Sequence, residues 1–265
     1  MGRQVVVDNR GGAAGIIGLG HVVSANPDGY TIFLASQAHL ALHPSLYRLP
    51  YDIERDFSPI ALLGRVRYLL LTHRSVPANN LKELLTLLRS RPGHFNFGSV
   101  GRGSNTHVVG ELFKKIANVD IVHVPYKGAG PAYIGLVTAE THLMFASPVA
   151  VMHYIKSGQL KAIAIAARAR SAQFPELPTM HEAGLEGFES AGWLAAMTRA
   201  GVPTAIVERL NREINQFLQL PQIRERLAAL DIDPAGGSVS DLTAHLRSER
   251  KKWAAVIKGA GIVLQ

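Results

Sequence analysis

Two segments of the chain place glycine, hydroxyl and basic residues directly after short apolar runs. They are Phe95-Asn96-Phe97-Gly98-Ser99-Val100-Gly101-Arg102-Gly103-Ser104-Asn105-Thr106-His107 and Ile121-Val122-His123-Val124-Pro125-Tyr126-Lys127-Gly128-Ala129-Gly130-Pro131. A strand that turns through small residues into a helix leaves backbone N–H groups unpaired at the positive end of the helix dipole, and such an end holds an anion. Ser99, Ser104 and Thr106 add hydroxyls, and Arg102 and Lys127 add charge. The same residues also suit a pair of ordinary βα turns with N-caps. Repetition within one basic stretch is what brings the anion pocket level with that simpler reading.

Other chemistries find less support. The run Gly98-Ser99-Val100-Gly101-Arg102-Gly103-Ser104 lacks the Lys-Ser/Thr ending of a P-loop, and Thr106 stands where G-x-G-x-x-G needs its last glycine. Phe97 stands where a nucleophile elbow needs glycine. His181-Glu182 does not continue into H-E-x-x-H. His39 and His43 are four apart, but Pro44 follows directly, so one helix carrying both is not expected. His107, at a loop-to-helix junction, is the histidine placed to touch a ligand. No metal site, no cofactor and no catalytic residue are expected, because no pair of carboxylates or base–nucleophile pair stands out. Phe95 and Phe97 alternate as a nucleic-acid stacking platform would, but read better as core.

The chain has 265 residues, 47% of them hydrophobic and 18% charged, enough for one large or two ordinary domains. Runs such as Ile60 to Leu63 and Tyr68 to Leu71 fall far short of the roughly 20 apolar residues that span a bilayer. There is no cysteine, which excludes thiol catalysis, disulfides and thiolate metal sites. The formal net charge is +8, and residues 60–130 hold ten basic residues against three acidic ones. Such a field attracts anions, although a solvated basic face would look the same. The start, Met1 to Arg10, is basic but carries no apolar stretch or cleavage site of a secretory signal.

Short β runs alternate with longer helical ones, which predicts α/β layers. Strands are expected near Gln4 to Val7, Thr31 to Ala35 (buried), Phe57 to Leu63, Tyr68 to Thr72, Phe95 to Phe97, Ile121 to Val124, Leu143 to Phe145 and Lys161 to Ala167. Leu81, Leu84, Leu85 and Leu88 mark an amphipathic helix ended by Pro92-Gly93. Helices are also expected over His107 to Ala117, through Val137 and near Val149 to Lys156. Beyond Trp193 the chain reads as mostly helical, over Ala205 to Leu218, Gln222 to Leu230 and Val239 to Lys258. Residues 43–50 read as irregular.

An ordered set of short motifs then becomes visible: Asn9-Arg10-Gly11-Gly12-Ala13-Ala14-Gly15, Asn26-Pro27-Asp28-Gly29-Tyr30-Thr31, His43-Pro44-Ser45-Leu46-Tyr47, Leu49-Pro50-Tyr51-Asp52, Asp56-Phe57-Ser58-Pro59, Glu111-Leu112-Phe113, Val122-His123-Val124-Pro125-Tyr126-Lys127-Gly128, Pro178-Thr179, Glu182-Ala183-Gly184 and Trp193. Together they resemble the tripartite tricarboxylate transporter receptors, the Bug-type extracytoplasmic solute receptors, from about Gln4 to the end. The resemblance implies an α/β, two-domain periplasmic-binding-protein fold (Venus flytrap, type II) whose domains close on a small carboxylate. Residues 1–72 with 191–265 would form domain one, and residues 73–190 domain two. Crossing strands would fall near Tyr68 to Thr72 and Glu189 to Ala196.

Carried over onto this sequence, the resemblance implies ligand contacts from Ser36, Gln37, Ser99, Gly101, Gly103, Ser104, Asn105, Thr106, His107, Tyr126, Lys127, Gly128, Gly130, Ala146 and Ser147. Ala146 stands where many members have an aspartate that meets an amino group, so a carboxylate without an amino group is expected. The expected partners are that small organic anion and the membrane permease subunits of a tripartite transporter, or a sensor. Nucleic acid is not expected as a partner, and the receptor is expected to be a monomer. The family location is periplasmic; the missing signal would make the chain cytoplasmic if its start is genuine. A first βα unit of roughly 30 residues is expected to be missing, leaving domain one incomplete and the receptor open to being non-functional. The alternatives are an enzyme acting on an anionic small molecule in the same cleft, and a basic nucleic-acid module.

Overall fold

In a computed structural model, residues 4–10, 12–188, 190–259 and 261–262 are described. The chain divides into two compact units: Met1–Arg65 with Trp193–Leu227 and Asp233–Gln265, and Val66–Gly192 with Ala228–Ile232.

The first unit contains α1 (Ile16–Ser24), β1 (Ile32–Ser36), a π-helical turn (Ala38–Leu42), α2 (His43–Leu46) and β2 (Phe57–Val66). The second begins with β3 (Leu69–His73) and α3 (Leu81–Ser90). It continues through β4 (Asn96–Ser99), α4 (Asn105–Ala117), β5 (Val122–Pro125), α5 (Ala129–Val137), β6 (Leu143–Ala146), α6 (Pro148–Lys156) and β7 (Leu160–Ile165). β8 (Gly192–Arg199), α7 (Thr204–Gln219), α8 (Pro221–Ala229), β9 (Ile232–Pro234) and α9 (Val239–Gly259) complete the chain.

The sheet of the second unit has strand order β5-β4-β6-β3-β7. β4 runs parallel to both β5 and β6, whereas β3 is antiparallel to β6 and β7. Helices connect the parallel strands, as a parallel pair requires. One face of the sheet is covered through Leu69, Leu71, Ala132, Leu136, Met144 and Val151. Phe113, Phe145 and Phe188 pack ring to ring in the same unit. α3 buries Leu81, Leu84, Leu85 and Leu88 on one stripe, and Asn80 caps it by accepting from the Glu83 N–H (2.9 Å).

The sheet of the first unit has order β1-β8-β2-β9, with β1 antiparallel to β8. Its core gathers Ile60, Ala61, Ala196, Val202, Val207 and Leu210.

Three expectations are corrected. Val5, Val6 and Val7 are exposed and lie in no strand, because β-branched residues form a strand only where a neighbouring edge pairs with them. β1 is not buried throughout: it is the end strand of its sheet, and Leu34 is 67% exposed. His39 and His43 do both lie in helical segments, His39 in the π-helical turn and His43 at the start of α2 directly after it, with their rings 5.5 Å apart. Pro44 is tolerated because it sits in the first turn of α2, where its missing N–H would have no helical partner. Beyond Trp193 the chain is mostly helical, as expected, and β8 overlaps the strand expected near Glu189 to Ala196, whereas the three-residue β9 is not among the expected strands.

Candidate functional site

The parallel strands of the second unit bring three chain reversals to one sheet edge. Ser99 pairs with Pro125 and Gly98 with Met144, so β4, β5 and β6 end side by side. Each end runs into a helix: β4 into α4, β5 into α5 and β6 into α6. The C-terminal edge of parallel strands is where open α/β sheets bind ligands, and here three helix N-termini with their unpaired N–H groups gather there.

Tertiary bonds tie the first two reversals together. Tyr126 N–H donates to the Ser99 carbonyl (3.0 Å) and Gly128 N–H to the Val100 carbonyl (3.1 Å). Gly101, Gly103 and Gly128 all hold positive φ (142°, 74° and 116°), which glycine adopts without strain.

The hydroxyls expected to meet a ligand are engaged within the loop. Ser104 Oγ donates to the Gly101 carbonyl (2.7 Å) and accepts from the His107 N–H (3.3 Å), capping α4. Thr106 Oγ1 accepts from the Val100 N–H (3.1 Å). Ser99 Oγ accepts from the Gly101 N–H (3.2 Å) and lies 2.7 Å from His123 Nε2. These side chains shape the loop. α5 and α6 differ from α4: Gly128 and Ser147 stand at their N-caps with no side-chain cap bond.

A stack of three rings lies beneath the loop. Phe97 stacks on His123 (4.9 Å between centroids), and His123 stacks on His107 (4.0 Å, 20° between planes). Gly110 makes this possible, because a Cβ there would come within 2.1 Å of the Phe97 ring. His107 Nδ1 accepts from the Gly103 N–H (3.1 Å). Burial lowers the pKa of His107 from its ordinary 6.5 to about 4, and Arg102 and Lys114 push the same way. Burial, His107 and those two cations lower His123 to about 3. Both rings are therefore neutral at pH 7.

His107, Glu111 and His123 each offer a ligating atom within 4.8 Å of the others. An imidazole lone pair lies in its ring plane, so two nearly parallel rings 4.0 Å apart do not aim at a common ion. His107 Nδ1 is moreover taken by Gly103, and Glu111 pairs with Lys114 (3.3 Å). The cluster is assigned as packing rather than a metal centre.

Asn105 donates through Nδ2 to the buried Tyr68 hydroxyl (3.1 Å), and its Oδ1 is buried without a hydrogen-bond partner among the described residues. Burial raises Tyr68 to about 12. The Tyr126 hydroxyl donates to Glu140 (3.1 Å). Lys127 and Gly130 are exposed, Ala146 is buried at the end of β6, and Ser147 is half-buried. The remaining expected residues, Ser36 and Gln37, lie in the first unit. Ser36 N–H donates to His39 Nδ1 (3.1 Å). Gln37 Nε2 donates to Glu249 (2.8 Å), which also receives the indole N–H groups of Trp193 (2.9 Å) and Trp253 (3.0 Å). Burial raises the Glu249 pKa, but these donors and Lys252 hold it below the usual range. Glu189, named with the second crossing strand, lies outside the described residues.

Sequence reasoning did not single out His123, Tyr68, Gly110 or Thr141. Thr141 Oγ1 stands 3.1 Å from where a Cβ on Gly98 would be. His123 alternates with Val122 and Val124 on a strand, which is a visible signal. What it faces depends on the pairing of β4 with β5. A glycine inside an otherwise good helix, as at Gly110, is the other readable signal, because it marks a close approach.

Comparison with known proteins shows the family. The family model described as the tripartite tricarboxylate transporter family receptor matches residues 1–262. Protein BugT of Bordetella pertussis is 34% identical over 267 residues, covering 100% of this chain and 82% of BugT. Among solved structures, Rpa4515 of R. palustris with adipate superposes with a TM-score of 0.93 at 33% identity, covering 98% of this chain and 87% of that one. MatC (Rpa3494) from Rhodopseudomonas palustris with bound malate gives 0.83 at 30% identity, covering 93% and 85%. These neighbours share the two-domain periplasmic-binding-protein fold and are solute-binding receptors, not enzymes. The chain belongs to the tripartite tricarboxylate transporter receptor family, whose members are periplasmic solute receptors.

Proposed function

We propose that this chain binds a small organic carboxylate lacking an amino group and presents it to the membrane subunits of a tripartite transporter. The observation that carries the reading is the gathering of three helix N-termini at the end of β5, β4 and β6, two of them without a side-chain cap. A carboxylate oxygen accepts the N–H bonds those helices leave open, and the dipoles favour its charge. Residues 99–107, 126–130 and 146–148 contain no Asp or Glu, so an ammonium group would be desolvated there without a counter-charge. Adipate and malate are the ligands of two structural neighbours, and both fit this description.

The ligand residues are proposed as Gly101, Gly103, Asn105, Tyr126, Lys127, Gly128, Gly130, Ala146 and Ser147, with Ser99, Ser104, Thr106 and His107 shaping the loop around them. Ser36 and Gln37 are proposed as further ligand residues in the first unit. The two compact units are proposed as the two domains of the receptor, acting as a periplasmic monomer.

Isothermal titration with adipate and malate, each against its amino counterpart 2-aminoadipate or aspartate, tests the reading. Binding of an amino-free acid at least tenfold tighter than its partner is expected. Tighter binding of either amino acid would sink it.

A further inference from the structure

We propose that two histidines latch the proposed ligand loops: buried His107 holds the Gly103 N–H and half-buried His39 holds the Ser36 N–H, each through Nδ1, and protonation of either ring releases its loop. The link to ligand release rests on the function proposed above; the latch itself does not.

The argument is one of donors and acceptors. A backbone N–H only donates, so Nδ1 of His107 (3.1 Å from Gly103 N) and Nδ1 of His39 (3.1 Å from Ser36 N) must each present a lone pair. The ring proton therefore sits on Nε2 in both. At His39 this agrees with the Ala14 carbonyl, which hydrogen-bonds the ring. An imidazolium carries N–H on both nitrogens, so a charged ring would set donor against donor at the backbone N–H of each loop; at Ser36 the hydroxyl, 3.2 Å from Nδ1, can accept from the charged ring only once the backbone N–H gives up its bond. The two bonds are alike in plan, since each histidine follows its loop donor by three or four residues and stands at the start of a helical segment.

The surroundings decide the pH at which this happens. His107 faces Arg102, Lys114 and the ring of His123, while Glu111 is drawn to Lys114. His39 faces the rings of Phe33 and His43, and on α9, which packs against the 38–42 turn, Glu249 is turned to Gln37 and the indoles and His245 to Trp193. Burial lowers His39 from 6.5 to about 4, as it does His107. The sign follows: an unfolded chain takes these protons near pH 6.5, and the folded chain only near 4. The stability the latches contribute is therefore complete above 6.5 and lost as pH falls to about 4.

Ring-nitrogen NMR of the unliganded full chain from pH 7.5 to 3.5, with amide exchange at Gly103 and Ser36 and far-UV circular dichroism alongside, tests the latch. Both rings are expected to be neutral with the proton on Nε2 at pH 7. As each ring takes its second proton, the protection of its partner amide, taken relative to the intrinsic exchange rate at that pH, should fall at least tenfold before the helical signal changes. A doubly protonated ring beside a still-protected amide would overturn the proposal, as would two amides that open only with global unfolding. In His107→Gln, whose amide oxygen accepts but does not titrate, Gly103 protection should no longer vary with pH; the wild-type titration stands without this variant should it fail to fold. Adipate affinity is compared between wild type and His107→Gln at each pH, so that the ligand's own titration cancels. Loop opening with unchanged relative affinity would remove the ligand from the loop and leave the latch standing.

Discussion

β6 and β1 carry almost the same kind of sequence and end in opposite surroundings. Leu143-Met144-Phe145-Ala146 lies between β4 and β3, with every residue buried. Ile32-Phe33-Leu34-Ala35-Ser36 stands at the end of its sheet, with Ile32 and Leu34 exposed on one face. An apolar run states that a strand tolerates burial on both faces; its neighbours decide whether burial happens. The difference also separates the loops that follow. The one after β6 joins two others at a shared parallel edge. The one after β1 enters a π-helical turn alone, and its Gln37 side chain is held by Glu249.

Substitutions that distinguish the two regions test this contrast. The largest effect is expected for Leu71→Ala in β3, which removes a fully buried side chain from the second unit. A loss of about 2–5 kcal/mol is expected in chemical denaturation; a loss below about 1 kcal/mol would show that this sheet is no better packed than β1. Gly110→Ala comes next, because its Cβ would meet the Phe97 ring. About 1–3 kcal/mol should be lost, with carboxylate binding weakened because the ring stack under the loop must shift. A stable variant with unaltered binding would detach the stack from the site.

Two helix caps give a finer comparison. Ser104→Ala and Asn80→Ala each remove a cap and should each lower stability by about 1 kcal/mol. Only Ser104→Ala should also weaken carboxylate binding, since Ser104 additionally anchors the Gly101 carbonyl, whereas Asn80 caps α3. Equal effects on binding would argue that the loop acts through stability alone. The smallest effect is expected for Leu34→Lys, within about 0.5 kcal/mol of the parent. Because a lysine on an end strand opposes edge pairing, light scattering should show less self-association. A large loss of stability would mean that the exposed face of β1 is covered in solution.

Much of the fold was legible. The amphipathic stripe of α3, the paired strand–glycine loop–helix units and the strand β6 all follow from periodicity and turn chemistry. The strand failures share one cause. Val5 to Val7, the apparent burial of β1 and the omission of β9 each depended on which strand lies alongside, and a one-dimensional pattern does not state that. The His39–His43 stretch failed for a local reason: a proline breaks a helix interior but not its first turn.

The site divides the same way. By itself the sequence determined that two glycine-rich βα turns lie in a basic segment without acids nearby, that no thiol is present, and which family the motif order resembles. Those are properties of residue type and spacing, carried by local physics. Only the tertiary structure decided that three strand ends share one edge, that Ser99, Ser104 and Thr106 spend their hydroxyls inside the loop, and that Phe97, His123 and His107 stack beneath it. Strand pairing sets which side chains meet across dozens of residues. A hydroxyl's partner and a histidine's charge follow from those meetings rather than from the residue's identity.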